Sequence, residues 1–138
     1  MKFRAEIIHV DGNPNKNGRI YTAETVESIL KTWKEHKYIV FGFPENDEEI
    51  IIKPSEICGQ IDNLWLEGDS VMAEGHMLDE HIGTKILKEL NEVDLGMYIS
   101  INGIGAYEND DKTIKDYELK YFSLTNESAF CVDKIKLL

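Results

Sequence analysis

The sequence is poor in the residues and segments that would assign it to a specialised class of protein. It has only two cysteines, Cys58 and Cys131, without metal-ligand or redox spacing, so we expect free thiols rather than a disulfide. No run of about 18 apolar residues is present, which argues against a transmembrane helix, and the N-terminus lacks the apolar stretch of a signal peptide. We therefore expect the protein to stay in the cytoplasm where it is made.

Positive charge is also scarce in this chain. It has 15 Lys and Arg residues against 26 Asp and Glu residues, which gives a formal net charge of -11 at pH 7. That charge repels phosphate backbones and anionic membranes, so we expect no nucleic-acid and no membrane partner, and a basic or hydrophobic partner fits better. A chain of 138 residues with 42% hydrophobic content predicts a single domain over residues 1–138.

The hydrophobic periodicity predicts a chain that is mostly β with two main helices. Alternating or continuous apolar stretches predict strands over residues 2–10, 37–43, 56–66, 70–78, 96–107, 114–124 and 129–137. Helical spacing predicts helices over residues 23–36, capped by Thr22, and 80–93, capped by Asp79. A turn at residues 67–69 predicts a hairpin. The fold class expected from this pattern is α+β, mostly β, with an antiparallel β-barrel or partial barrel.

The strand over residues 96–107, GMYISINGIGAY, contains the strongest catalytic candidate, Ser100. Gly103 and Gly105 interrupt this strand, and glycine inside a strand usually marks a bulge, a bend or a close backbone approach. Backbone N–H groups turned out beside a serine can form an oxyanion hole, which makes the two glycines oxyanion-hole candidates and suits acyl-transfer chemistry. The alternative is that Ser100 is a small polar residue paired within a sheet.

The polar loop over residues 11–19 resembles a calcium site only at first sight. Three of its residues occupy the first ligand positions of an EF-hand loop, but Lys16 and Thr22 stand where glycine and glutamate are needed. We therefore expect no metal and no cofactor, and we expect the asparagines and glycines to supply left-handed turn conformations. The acidic segment 45–49 is interpreted as a solvated loop rather than a cation site.

The segment 15–21, NKNGRIY, followed by a helix, resembles the opening motif of tailed-phage prohead core proteases, the serine proteases that mature procapsids. Other landmarks follow in the same order: Phe43-Pro44, IDNLWLEG at 61–68, the serine strand with its Gly-x-Gly, IKDYEL at 114–119, and Ser128-Ala129. The likeness covers residues 15 to about 130. It implies the fold of the herpesvirus assembly proteases, a mostly antiparallel β-barrel flanked by helices. It also implies structural roles for Asn15, Asn17, Gly18, Arg19 and Tyr21.

The resemblance places Ser100 at the position of the family's nucleophile. The family's catalytic histidine would stand at Phe43 and a second frequent histidine at Gly59, so both bases are missing here. The arginine that usually follows the nucleophile is replaced by Asn102. Because a serine hydroxyl is a weak nucleophile without a base to take its proton, the resemblance predicts a degenerate catalytic site.

Two other side chains are candidates for catalysis, and one is a candidate for binding. His76, in the strand over residues 70–78, is the candidate substitute base for Ser100, against the alternative of a packed or exposed strand residue. Cys58 is a poorer nucleophile because no histidine is expected near it. Arg19 could bind substrate, but in a chain so rich in carboxylates we expect it to pair internally and hold its loop to the barrel.

Two functions follow from the resemblance. The first is a catalytically degenerate prohead-protease-like phage protein that acts as a capsid-associated structural or auxiliary component in decoration or assembly. The second is an active maturation serine protease that cuts capsid and scaffold proteins. The missing histidines favour the first. The implied partners are phage capsid or scaffold proteins, self-association into a homo-oligomer is compatible with either function, and the implied location is the host cytoplasm, in the prohead or virion capsid.

Overall fold

The structure is a computed structural model that describes residues 1–42 and 52–138. Several sequence-based expectations lie outside these residues: the end of the second predicted strand, the Phe43-Pro44 landmark, the histidine position at Phe43, and the acidic segment 45–49. Every other predicted element can be compared with the structure directly.

The described residues form seven strands and two α-helices. The strands are β1 Lys2–His9, β2 Tyr38–Phe41, β3 Ile57–Glu67, β4 Ser70–Met77, β5 Tyr98–Tyr107, β6 Ile114–Thr125 and β7 Lys136–Leu137. The helices are α1 Ala23–Thr32 and α2 Ile82–Glu92, with short 3-10 helices at Trp33–His36 and Pro54–Glu56. In the part of the chain that is described, no helix is long and apolar enough to cross a membrane. The predicted class, mostly β with two helices, is confirmed.

The strands form a single sheet in the order β5-β6-β2-β3-β4-β1-β7. All neighbours are antiparallel except β2 and β6, which are parallel. The sheet curves enough to bring Cα atoms of β1 and β5 within 8 Å, but no ladder joins these two strands among the described residues. The segment leading into β7 lies at this seam, where the N–H of Ile135 donates to the carbonyl of Met97 at 2.9 Å. Of the predicted barrel or partial barrel, the closed barrel is therefore wrong, because the seven strands form a curved sheet that stays open.

Helix α1 begins where its sequence predicts. The Thr22 hydroxyl accepts a hydrogen bond from the N–H of Thr25 at 3.2 Å, which satisfies one of the free donors of the first turn. Val26 and Ile29 are buried, and the Thr25 hydroxyl donates to the carbonyl of Ile114 in β6 at 3.2 Å. The predicted extent to residue 36 combines this α-helix with the 3-10 helix that follows it.

Helix α2 begins two residues later than predicted and has a different cap. His81 Nδ1 accepts from the N–H of Gly83 at 2.9 Å, so His81 is the capping residue instead of Asp79. Asp79 lies two residues before this cap position, and its Oδ1 accepts from the amino group of Met1 at 2.9 Å. On the predicted apolar stripe, Leu87 is fully buried and Ile82 is 59% exposed.

The β3–β4 hairpin is confirmed, whereas the last predicted strand is mostly absent from the sheet. Gly68 has a φ of +62°, the left-handed conformation that the tight turn between β3 and β4 requires. Residues 129–137 were predicted as a strand, but only Lys136–Leu137 pairs, with β1. The N–H groups of Phe130 and Val132 are used in local turns, donating to Ser128 Oγ and to the carbonyl of Phe130. Turns replace the ladder in this segment.

The glycines of β5 permit a close approach to β6. Bulges occur between Asn102 and Gly103 and between Ile104 and Ala106, as glycine inside a strand predicts. A Cβ atom at Gly103 would lie 2.2 Å from the backbone oxygen of Glu118, whereas one at Gly105 would lie 3.1 Å from a methyl carbon of Ile114. A side chain at 103 therefore requires a backbone shift.

Cys58 and Cys131 are both free thiols, as predicted, but their surroundings differ. Cys58 lies fully buried in β3, and Cys131 is exposed. Burial raises the pKa of Cys58 to about 12 because a thiolate is costly to form away from water. The folded chain therefore requires Cys58 to stay neutral.

We predict that Gly103→Ala destabilises the fold more than Gly105→Ala. Both substitutions reduce the conformational entropy of the unfolded chain by a similar amount. The difference between their free energies of unfolding therefore reports the clash with the Glu118 carbonyl, which should cost about 1–3 kcal/mol as overpacking does. Urea unfolding followed by circular dichroism measures both free energies of unfolding. Equal values for the two variants would contradict the close approach.

A second prediction concerns alkaline pH. The folded-state pKa of Cys58 is raised above its unfolded value, so its stabilising contribution is complete below about pH 9 and is lost as pH rises toward 12. The free energy of unfolding should fall in that window by about 1.4 kcal/mol per pH unit from this thiol. Cys58→Ala should have a shallower slope, and Cys131→Ala should match the unsubstituted chain. A Cys58→Ala slope as steep as that of the unsubstituted chain would show that other groups cause the loss.

Candidate functional site

Ser100 lies on the face of β5 opposite the buried Ile99, within a polar ladder formed with β6. Ser100 pairs with Ser123, and its hydroxyl lies 3.0 Å from the hydroxyl of Thr125, two residues farther along β6 on the same face. Asn102 Nδ2 donates to Ser123 Oγ at 2.6 Å in the same diagonal arrangement. Ser100 is half-buried, while Ser123 is fully buried. Both β5 polar side chains are thus held by hydroxyls of β6.

The direction of the Ser100 hydrogen bond follows from the second contact of Thr125. The Thr125 hydroxyl lies 2.7 Å from the carbonyl oxygen of Glu127, and a carbonyl can only accept. The single proton of Thr125 is therefore used there, and Ser100 donates its own proton to Thr125. A neutral hydroxyl is a far weaker base than the imidazole that activates a catalytic serine.

Ser100 borders a cleft of about 430 Å³. The cleft is lined by Asn15, Lys16, Asn17, Arg19, Tyr21, Ser100, Ile101, Asn102 and residues 125–130. The loop that carries the NKNGRIY motif and the serine strand are far apart in sequence, and the fold brings them to the same cleft. Of the residues singled out from the motif, only Gly18 is absent from this lining.

The motif loop is held by Asn15 and Gly18. Asn15 Oδ1 accepts from the backbone N–H groups of Asn17 and Arg19, both at 3.0 Å, and the N–H of Gly18 donates to the carbonyl of Asn15 at 2.9 Å. Gly18 has a φ of +76°, the predicted left-handed turn. The asparagines of the loop do not adopt that conformation. Asn15 instead acts through its side chain, which is a correction to the sequence-based expectation.

Arg19 lies beside a tyrosine rather than in the expected ion pair with a carboxylate. Within residues 1–42 and 52–138 it forms no salt bridge, and it is exposed. Burial raises the pKa of Tyr21, and the Arg19 guanidinium next to its hydroxyl opposes that shift. Tyr21 also packs edge-on against Phe130, with ring centroids 5.0 Å apart, and against Tyr117 at 5.9 Å. Arg19 therefore presents its charge at the cleft.

His76 does not line the Ser100 cleft. Its Nδ1 donates to Asp62 Oδ2 at 2.8 Å on β3. Although partial burial raises the pKa of Asp62, hydrogen bonds from His76 and Gln60 outweigh it and hold that pKa below its usual value. The structure thus places His76 in an exposed pair with Asp62, and this geometry does not support the predicted role as substitute base.

The other three histidines are described as well, and they lie elsewhere. His9 faces Ser70 at 3.4 Å, His36 belongs to the 3-10 helix after α1, and His81 caps α2. None of the four histidines of the chain lines the cleft.

Gly59, the second position where the resemblance places a histidine, has no space for a side chain. A Cβ atom there would lie 2.6 Å from the carbonyl oxygen of His76 and 2.8 Å from Met77 Sδ. The first position, Phe43, is outside the described residues. Strand β2 ends beside β6, where the N–H of Gly42 donates to the carbonyl of Leu124 at 3.0 Å.

Gly103 and Gly105 do not line the cleft, and both lie in the exposed part of β5. Gly103 is three residues beyond Ser100, about 10 Å along an extended strand. The geometry therefore does not support the predicted oxyanion hole at these glycines. It gives them the packing role against β6 described above.

Ser123 and Thr125 are the residues that the sequence analysis missed. They follow Tyr121 with the two-residue period of a strand, and they place hydroxyls on one face of an otherwise apolar strand end. That pattern could have identified them as partners of the serine strand. In the described part of the chain, no group of three or more His, Cys, Asp or Glu side chains could hold a metal ion.

We predict that Arg19→Ala changes the free energy of unfolding by less than about 1 kcal/mol, because the side chain is exposed and forms no ion pair with the described residues. The same variant should raise the pKa of Tyr21 further, since the cation that opposes its burial is removed. Arg19→Lys is the control and should keep most of the effect. NMR titration of ¹³C-labelled tyrosine measures the pKa, and an unchanged or lowered value would contradict the contact.

Comparison with known proteins identifies the fold. No protein-family model matches the sequence, and no curated protein sequence matches it. A solved structure that is similar is that of the bacteriophage T4 capsid assembly protease, gp21. It superposes with a TM-score of 0.67 at 13% sequence identity, covering 89% of this chain and 80% of the T4 chain. The chain therefore has the fold of a phage capsid assembly protease, built here on an open seven-stranded sheet.

Proposed function

We propose that this chain is a catalytically degenerate prohead-protease-like phage protein. It binds capsid or scaffold protein as a structural or auxiliary component of the prohead or virion, in decoration or assembly, and does not cut its partner. The fold shared with the T4 capsid assembly protease supports the capsid context. The hydrogen bond from Ser100 to Thr125 supports the loss of catalysis.

The single observation that carries the proposal is the acceptor of the hydrogen bond that Ser100 donates, which is the hydroxyl of Thr125. In an active serine protease a histidine accepts the hydrogen bond of the serine and then takes its proton. Here the hydrogen bond goes to the neutral hydroxyl of Thr125, which is too weak a base to take the proton. Removing the histidine base of a serine protease costs about 10⁶-fold in kcat. An oxyanion-hole donor could recover only about 3–4 kcal/mol, and neither glycine proposed for that role lines the cleft.

The cleft keeps the features that bind a polypeptide. The side-chain amides of Asn15, Asn17 and Asn102 offer donors and acceptors. Lys16 and Arg19 add two cations against the single carboxylate of Glu127, in a chain of net charge -11. These groups can hold an extended segment of a partner without any proton transfer. Loss of catalysis and retention of binding are therefore compatible in one site.

The alternative is an active maturation protease with a rearranged catalytic set. It is favoured by one observation, that Ser100 still borders an open cleft of about 430 Å³. This alternative requires a base other than the four histidines of the chain, because none of them lines that cleft.

We predict that the purified chain and its Ser100→Ala variant are indistinguishable when incubated with the capsid and scaffold proteins of the same phage. Gel electrophoresis and mass spectrometry should detect no cleavage, and a fluorophosphonate probe should label neither protein, because Ser100 has no positioned base. An active capsid assembly protease is the positive control. Cleavage that disappears in Ser100→Ala would establish the alternative.

Binding is measured in the same experiment by co-sedimentation with assembled heads. Both proteins should sediment with heads equally, since Ser100 contributes only one neutral hydrogen bond, worth about 1 kcal/mol. Failure of both to bind capsid and scaffold would contradict the structural role.

A further inference from the structure

An apolar notch lies between α1 and the tip of the β3–β4 hairpin. Its volume is about 360 Å³, at the small end of the range for ligand pockets. Val10, Val26, Leu30 and Leu66 supply its apolar wall, and Glu27 and Asp69 stand among its lining residues. We call this site the α1–hairpin notch.

Leu66 is exposed although it lies on the core face of the sheet. It pairs directly with Val71, which is fully buried, and Leu64 on the same face is only 7% exposed. Leu66 itself is 51% exposed, because the tip of the hairpin extends beyond the part of the sheet against which α1 packs. The hydrophobic core thus continues into the notch, where no side chain within residues 1–42 and 52–138 fully covers Leu66.

The shape around Leu66 is held firmly. The N–H of Val10 donates to the carbonyl of Asp69 at 2.8 Å, which ties the end of β1 to the hairpin turn. Val26 on α1 is buried and Leu30 is half-buried, so the opposite wall is part of the packed body. A notch with two fixed walls can accept a side chain without paying much ordering entropy.

The negative charge of the notch lining favours a positively charged partner. Glu27 and Asp69 are the charged lining residues, and no cation lines the notch among the described residues. Lys31 pairs with Glu27 at 3.4 Å, but this exposed pair contributes little and Lys31 is outside the lining. A second copy of this chain would bring another net charge of -11 to an acidic rim, so a basic partner fits better.

We propose that the α1–hairpin notch binds a protein segment in which a leucine-sized apolar side chain is flanked by Lys or Arg. The apolar side chain covers Leu66 and Leu30, and the flanking cations face Glu27 and Asp69. The proposal uses no residue of the Ser100 cleft and does not depend on whether the chain cleaves peptides.

The test is an NMR titration of the ¹⁵N-labelled full chain with the capped peptide Gly-Lys-Leu-Lys-Gly. Amide shifts should change most at residues 23–30 and 66–71, and raising the salt concentration should weaken binding. The control peptides Gly-Glu-Leu-Glu-Gly and Gly-Lys-Ala-Lys-Gly should bind at least about tenfold more weakly, as expected when an anchor side chain is lost.

Three variants assign the binding to the notch. Leu66→Thr should weaken binding about tenfold while keeping the strand, and the double variant Glu27→Gln with Asp69→Asn should remove most of the salt dependence. Val93→Thr is the matched control, because Val93 is an exposed apolar residue at the end of α2, and it should bind normally. No shift up to about 10 mM peptide, equal binding of the acidic peptide, or normal binding by Leu66→Thr would overturn the proposal.

Discussion

The register between β5 and β6 is the constraint on which the rest of the site depends. It sets Ser100 opposite Ser123 and brings the hydroxyl of Thr125 within 3.0 Å of the serine. A shift of one residue would turn Ser100 into the core and Ile99 out to solvent, so the burial of Ile99 fixes the register. The close approach at Gly103 and the two bulges of β5 pin the same register farther along the strand.

Strand β6 also connects this pair to the other parts of the fold. It pairs with β2 on its second edge, and its backbone carbonyl at Ile114 accepts the hydroxyl of Thr25 from α1. The motif loop joins it at the same end, where the N–H of Ile114 donates to the carbonyl of Ile20. One long strand therefore positions the serine and the loop that faces it across the cleft.

The hydrogen bond that holds the Ser100 hydroxyl in place is not one that activates a serine. The hydrogen bond that orients the Ser100 hydroxyl is donated to Thr125, whose own hydroxyl donates a hydrogen bond to the carbonyl of Glu127. A catalytic serine needs the opposite arrangement, with a base aimed at the hydroxyl and free to become a cation. The contacts that the structure shows at Ser100 are hydrogen bonds between neutral hydroxyls. Lys16 and Arg19 outnumber Glu127 among the charged residues of the cleft, whereas the charged residues of the α1–hairpin notch are Glu27 and Asp69.

The sequence by itself determined the elements whose signals are local. The Thr22 cap and the apolar spacing of α1, the turn at Gly68, and the bulges at the glycines of β5 depend on neighbouring residues, and the structure agrees with each. Only the tertiary structure decided which residues meet. It separated His76 from Ser100, moved the cap of α2 to His81, left the sheet open at the β7 seam, and placed a tyrosine beside Arg19. These outcomes depend on strand order and on contacts between residues far apart in the chain, which periodicity and local propensity do not encode.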